Sequence, residues 1–295
     1  MSTVKDFETK QFPTWCPGCG DFGIWTAIKN AFVAQGLEPH QIAAVFGIGC
    51  SGNMASFLNV YGWHALHGRT IPAAAAIKLT NHKLQVLAVG GDGDGYSIGL
   101  GHALHAMRRN VDLAYIVHDN QIYGLTKGQA SPTSEKGMVT KSTPFGLVEI
   151  PADPIAMAIL AGATYVARGF SGNVKQLTEL IVGAMKHKGF ALVDVMQPCV
   201  TFNHHNTFHW FYDRVYELDK EGHDSKDKQA AMLRAMEWPS QQLIDEARVD
   251  RIPTGLFYQE ERSTYEDELP QIKDQALVEQ SLEDIDITSL MEALS

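Results

Sequence analysis

The sequence predicts an α/β protein in which a parallel sheet is sandwiched by helices and continued by an irregular C-terminal extension. Three strand-like runs point to it. The apolar run at 84–89 ends in Gly90-Gly91-Asp92-Gly93-Asp94-Gly95; the run at 113–117 ends in Asp119-Asn120-Gln121-Ile122; and Ile42–Phe46 ends in Gly47-Ile48-Gly49. Residues 97–109, between the first two runs, carry Ile98, Leu100, Leu104 and Met107 along one side of a helix. Strand–helix–strand units of this kind pair in parallel, so the strand ends gather on one edge and leave a ligand crevice there.

The remaining elements follow in chain order. Residues 1–15 read as an irregular arm that runs into Cys16-Pro17-Gly18-Cys19-Gly20. Asp21 is a plausible N-cap for a helix with Ile24, Trp25, Ile28, Phe32 and Val33 at helical spacing and Gly36 at its end. Residues 59–69 are turn-rich, 72–79 are helical with Pro72 in the first turn, and 121–150 form a long loop of the kind that carries function. Helices are expected at 154–161 and 174–186, and strands at 164–167 and 190–196, the last delivering Gln197-Pro198-Cys199. Beyond Thr201 the aromatic and His-rich stretch to Tyr216 gives way to polar sequence, and no second α/β unit is recognisable. This divides the chain into a domain at 1–215 and an extension at 216–295.

Composition narrows the function. With 295 residues and 45% hydrophobic content the chain can bury a large core. The net charge of −10 is mostly a tail, because residues 260–295 hold eleven acids and two bases. The near-neutral body has no clustered Lys and Arg to offer a nucleic acid. Neither a signal pattern nor an apolar run of the roughly 18 residues that a membrane span needs is present, so a cytoplasmic protein is expected.

An acid, an amide oxygen and a backbone carbonyl, from Asp92, Asn120 and Ile122, are hard ligands suited to Mg²⁺ with places left for diphosphate oxygens. The glycines around Asp92 let backbone N–H groups approach phosphates closely. A lone Gly-Asp-Gly is an ordinary turn; Asn120 at a distance of 28 residues makes it specific. Cys16, Cys19, Cys50 and Cys199 are the number of thiolates that closes either a zinc site or an iron–sulfur cluster. Cys16-Pro17-Gly18-Cys19 is a poor thioredoxin-like pair, because no strand precedes it. His204, His205 and His209 have metal-binding composition at a spacing that fits no usual site, and His64 and Lys127 sit where they could meet a phosphate or a substrate carboxylate.

The Gly-Asp-Gly, the helix and strand after it and the Asn resemble the thiamine-diphosphate motif. Together with Trp15-Cys-Pro-Gly-Cys-Gly, Gly47-Ile-Gly-Cys-Ser, His67-Gly-Arg, Ile122-Tyr-Gly-Leu-Thr-Lys-Gly-Gln and Gln197-Pro-Cys, residues 12–220 resemble the β subunit of 2-oxoacid:ferredoxin oxidoreductases, most closely the 2-oxoglutarate branch. The resemblance implies a thiamine pyrophosphate-domain fold. It implies that Asp92, Asn120 and the Ile122 carbonyl hold Mg²⁺, and that Ile48, Gly49, Cys50, Ser51, His67, Gly93, Asp94, Gly124 and Leu125 line thiamine diphosphate. Leu125 and His67 would face the reacting centre, and Cys16, Cys19, Cys50 and Cys199 would hold one 4Fe-4S cluster.

The activity implied is CoA-dependent oxidative decarboxylation of a 2-oxoacid with reduction of ferredoxin, or the reverse carboxylation. The glutamate that activates thiamine in such enzymes lies on a pyrimidine-binding domain for which this chain has no room. A separate α subunit and a dimer of αβ pairs are therefore expected. Pyruvate or broader 2-oxoacid use, a non-redox carboligase or decarboxylase with structural zinc, and a non-catalytic scaffold subunit are the alternatives. The acidic tail is expected to wrap a partner subunit or stay solvated.

Overall fold

Eight strands of the described residues form a single sheet in this computed structural model, which describes residues 2–239, 251–281, 283 and 286–294. In chain order the sheet-forming elements and their helices are α1 (Asp21–Ala34), β1 (Ile42–Phe46), β2 (Tyr61–His64), α2 (Thr70–Thr80), β3 (Gln85–Gly91), α3 (Leu100–Arg109) and β4 (Leu113–Asp119). There follow α4 (Pro154–Ala161), β5 (Tyr165–Phe170), α5 (Val174–Lys186), β6 (Phe190–Met196), α6 (Phe208–Tyr212), β7 (Val215–Glu217), α7 (Lys228–Ala235), β8 (Ile252–Gln259) and α8 (Thr288–Leu294).

The sheet order is β2-β1-β3-β4-β6-β5-β8-β7, and the pairings from β2 through β5 are parallel. Every residue of β4 and β6 is buried, as it must be where helices cover both faces of a parallel sheet. One face packs Ile24, Ile28 and Phe32 of α1 and Leu177 and Ile181 of α5 against Leu87, Ile116 and Val193. The other packs Ile71, Met107 and Ile159 against Val86, Val117 and Leu192. A parallel sheet sandwiched by helices is thus what the chain forms.

Several elements differ from expectation for identifiable reasons. Gly20, not Asp21, caps α1, because the Asp21 carboxylate turns away from the helix end toward Cys19 and His118. The turn-rich 59–69 stretch contains the edge strand β2, all four residues of which are exposed; with no buried face it has no apolar alternation to betray it. Residues beyond 215 supply β7 and β8, and β8 joins the sheet antiparallel to β5 with a bulge at Val166/Ala167.

The acidic tail begins on the body rather than in solvent. The Asn110 side-chain amide donates to the carbonyls of Arg262 and Ser263, the Asp112 N–H donates to Glu266, and Ile272 and Ala276 are buried. No helix of the described residues is long and apolar enough to cross a membrane.

Candidate active site

A cleft of about 540 Å³ opens at the carboxyl ends of β1, β3 and β4. Ile48, Gly49, Cys50 and Ser51 reach it from the turn after β1, and Asp92, Gly93 and Asp94 from the turn after β3. Asn120, Ile122, Gly124 and Leu125 come from the loop after β4, and His67 from the segment after β2. Every residue expected to meet thiamine diphosphate or its metal lines this one space. Gly91, His118, Tyr123, Thr126 and Gln129 complete the wall.

Asp94 is the tie that holds the turns in place. It is buried, and its Oδ1 accepts the N–H of Gly68 at 2.8 Å and of Ile48 at 3.0 Å and stands 3.1 Å from Nδ1 of His67. Its Oδ2 accepts the Thr70 hydroxyl at 2.8 Å. Glycine is required beside it, since a Cβ on Gly47 would lie 2.3 Å from Oδ2 of Asp94.

Asp92 is also buried, and burial raises its carboxyl above the usual range. Ser131 and Thr133 both place hydroxyls on its Oδ2. Thr133 Oγ1 lies 2.7 Å from Oδ1 of Asp119 as well, and one hydroxyl proton cannot serve two ionised acids. Burial, and next the charges of Asp194 and Asp92, raise the Asp119 carboxyl well above the usual carboxylate range. Asn120 turns its amide oxygen to the Ile122 N–H at 3.1 Å, which leaves that oxygen a second lone pair. A buried carboxylate, an amide oxygen and a carbonyl on one wall fit a hard cation, whose charge would offset the burial of Asp92.

The cysteines gather at the same end. A Cβ on Gly124 would sit 3.6 Å from both Cys50 Sγ and Cys199 Sγ, so these two thiols flank the cofactor loop. Burial pushes the Cys50 thiol up to about 12, with the charges of Asp21, Cys199 and Cys16 adding to it. Cys19 and Cys199 are raised first by burial too, whereas Cys16 is exposed. The loops are laced by Trp15 Nε1 donating to the Cys50 carbonyl at 2.7 Å and the Gly20 N–H donating to the Pro198 carbonyl at 3.2 Å. Cys50 and Cys199 against one glycine, with Cys16 and Cys19 on a loop laced to both of theirs, fit a cluster that bridges the three loops.

Next to them lies a buried polar chain that sequence reading did not single out. Asp21 Oδ1 stands 2.6 Å from His118 Nδ1, and Asp21 Oδ2 accepts from the Cys19 thiol at 3.2 Å. The Gln197 amide meets both Cys19 and Asn120. Gln197 sits in a recognisable word of sequence, but Ser131, Thr133 and His118 carry no local signal at all.

Other candidates lie elsewhere. His64 Nε2 is 2.9 Å from the Gly47 carbonyl and outside the cleft wall, where it braces the first turn. Lys127 is exposed on a residue with φ 78° and is not part of the wall. His205 pairs with Glu135 at 3.1 Å and His209 with Asp213 at 3.7 Å, while His204 edges a separate pocket. Among the described residues no three His, Cys, Asp or Glu side chains converge on a single-ion site.

The family model described as thiamine pyrophosphate enzyme, C-terminal TPP binding domain, matches residues 40–195. A second model, for the C-terminal part of the pyruvate ferredoxin oxidoreductase beta subunit, matches residues 199–274. The 2-oxoacid:ferredoxin oxidoreductase subunit beta of Saccharolobus solfataricus is 48% identical over 265 residues, 85% of this chain and 84% of its own. The 2-oxoglutarate synthase subunit KorB of Archaeoglobus fulgidus is 42% identical over 195 residues, 66% of this chain and 73% of that one. The 2-oxoglutarate:ferredoxin oxidoreductase of Magnetococcus marinus, solved with 2-oxoglutarate, coenzyme A and succinyl-CoA bound, superposes with a TM-score of 0.89 at 38% identity, covering 100% of this chain and 96% of that one. The chain therefore belongs to the 2-oxoacid:ferredoxin oxidoreductases as a β subunit, the thiamine-diphosphate-binding part of an enzyme complex that also implies an α partner.

Proposed function

We propose that this subunit, paired with an α subunit that carries the pyrimidine-binding domain, converts a 2-oxoacid and CoA to acyl-CoA and CO₂ while reducing ferredoxin, or runs the reverse carboxylation. The complex would be a dimer of αβ pairs working in the cytoplasm. 2-Oxoglutarate is the favoured substrate; the relatives named for it and the M. marinus structure that contains it support this choice.

The observation that carries the reading is the double duty of Cys50, which lines the cleft while its sulfur shares Gly124 with Cys199. A cofactor in the cleft and a cluster on the cysteines would be immediate neighbours. When bound, thiamine diphosphate supplies the nucleophilic carbon that decarboxylates 2-oxoacids, and a 4Fe-4S cluster carries electrons away singly.

The chain's own part is positional. Asp92, Asn120 and the Ile122 carbonyl would hold Mg²⁺ on the diphosphate. Asp94 clamps the Ile48 and His67 turns against the cleft where the cofactor would lie, and His67 is part of its wall. Leu125, half exposed at the mouth, would cover the thiazolium end and keep water from the reacting carbon.

The test is to purify the α–β complex with both cofactors and assay viologen reduction on a panel of 2-oxoacids with CoA. 2-Oxoglutarate should turn over fastest, and the visible absorbance of the complex should bleach on reduction. A colourless, zinc-containing complex would overturn the redox reading; a complex preferring pyruvate would overturn the substrate.

A further inference from the structure

We propose that Gln197 is a positioning residue that couples the two cofactor sites, with one end of its amide set on the cluster ligand Cys19 and the other on the metal ligand Asn120. The inference rests on the roles proposed above for those two residues.

The orientation of the amide follows from its neighbours. Nε2 of Gln197 lies 3.0 Å from the Pro198 carbonyl, an acceptor, so a hydrogen-bearing nitrogen belongs there. That leaves Oε1 to accept from Nδ2 of Asn120 at 2.9 Å. Asn120 is fixed independently, because its Oδ1 takes the Ile122 N–H. Flipping Gln197 would set oxygen against oxygen on one side and two donors face to face on the other. The second Nε2 hydrogen points to Cys19 Sγ at 3.2 Å.

Local structure lets this residue reach both. The Gln197 N–H is bonded to the Asp119 carbonyl at 2.8 Å, which fixes the start of the side chain beside Asn120. The side chain then crosses the first residue before α1, where only glycine fits: a Cβ on Gly20 would lie 2.9 Å from Cγ of Gln197. Gln197 is 1% exposed, so both bonds are made away from water, where hydrogen bonds are strong and a lost partner is costly.

Each end has a distinct consequence. An N–H donated to a thiolate sulfur stabilises negative charge on the cluster, and most of all in the reduced state, so it raises the reduction potential. An acceptor on Nδ2 of Asn120 keeps Oδ1 on the side of the Ile122 N–H, which sets how well a cation would be held. Asparagine is too short to make both bonds, and an apolar side chain makes neither.

The experiment uses the αβ complex loaded with thiamine diphosphate and Mg²⁺, with cluster content measured per protein. An EPR-monitored redox titration gives the cluster midpoint, and a Mg²⁺ titration of thiamine diphosphate binding gives the cation affinity. Q197M should lower the midpoint by about 59 mV, a tenfold change in a one-electron equilibrium, and weaken Mg²⁺-dependent binding about tenfold. Q197E keeps an acceptor for Asn120 and, once ionised at alkaline pH, loses the donor to Cys19, so there it should lower the midpoint with nearly native Mg²⁺ affinity.

A Q197M complex with wild-type values of both quantities overturns the proposal. If Q197M assembles no cluster, Q197E decides, and a native midpoint there overturns it as well. Should the wild-type complex carry neither cluster nor thiamine diphosphate, it is the functional reading that fails, and the two failures are told apart before any variant is made.

Discussion

Thr133 Oγ1 stands 2.7 Å from Oδ2 of Asp92, although the two residues are separated by 41 positions in the chain. The long loop after β4 thus returns to brace a turn that begins after β3. T133V removes that hydroxyl while keeping the shape of the side chain. It should weaken Mg²⁺-dependent thiamine diphosphate binding by about tenfold, the lower end of the usual cost of losing a metal ligand's partner. Calorimetric titration of the complex checks it; unaltered affinity would show that Asp92 is held without the Thr133 hydroxyl.

Cysteine reactivity should follow burial once iron is removed. The Cys50 thiol, pushed up to about 12 by its surroundings, has almost no thiolate near neutral pH, whereas Cys16 lies at the surface. Iodoacetamide should therefore alkylate Cys16 well before Cys50 in cluster-free protein at mildly alkaline pH. Peptide mass spectrometry reads the order, and faster labelling of Cys50 would contradict the buried position.

Asp194 makes stability depend on pH in an unusual direction. It is fully buried on β6, its Oδ1 accepts the Tyr96 hydroxyl at 2.8 Å, and burial pushes its carboxyl up to about 6 in spite of the Arg168 guanidinium. A folded value above the unfolded one, near 3.9, favours folding most below that unfolded value. This contribution is lost as pH rises and is gone above about 6. Between about pH 4 and 6 the Tm of wild type should decline relative to that of D194N, which is less stable overall because Arg168 loses its partner. Parallel Tm profiles for the two proteins would refute the assignment.

Truncation should separate two parts of the acidic tail. Removing residues from 260 onward strips Arg262, Ser263 and Glu266 from Asn110 and Asp112 and takes away the buried Ile272 and Ala276, so the body should lose stability. Removing 286–295 deletes the exposed α8, with Leu290, Met291 and Leu294 facing out, and should leave the unfolding free energy of the isolated chain within about 0.5 kcal/mol of wild type. The shorter deletion should still loosen the αβ complex in analytical ultracentrifugation if α8 meets a partner; equal affinity would remove that role.

What the sequence made legible is what chain punctuation announces. Asp92 and Asn120 follow glycine-rich or acidic ends of apolar runs, and a parallel sheet brings such ends together whatever the details. Cys50 reaches the cleft for the same reason, a few residues beyond the end of β1. Ser131 and Thr133 were not legible, because loop hydroxyls are common and only the return of the loop gives them a partner. β8 was obscured by Pro253 and Gly255, residues that usually argue against a strand, and here they sit in the last-added part of the sheet, where β8 meets β5 with a bulge. Gln197 was visible as part of a word, but its two-sided role depends on Gly20 being empty of side chain.

The antiparallel pairing of β5 with β8 also bears on how the chain is made. Residues 165–170 leave the ribosome more than eighty residues before the strand that covers them, so a nascent chain holds an open sheet edge through most of the synthesis of its second half. Its β4, β6 and β5 can already pair while the cleft takes shape at the carboxyl ends of β1, β3 and β4. The border of that sheet stays available to any other extended chain until Ile252–Gln259 arrives.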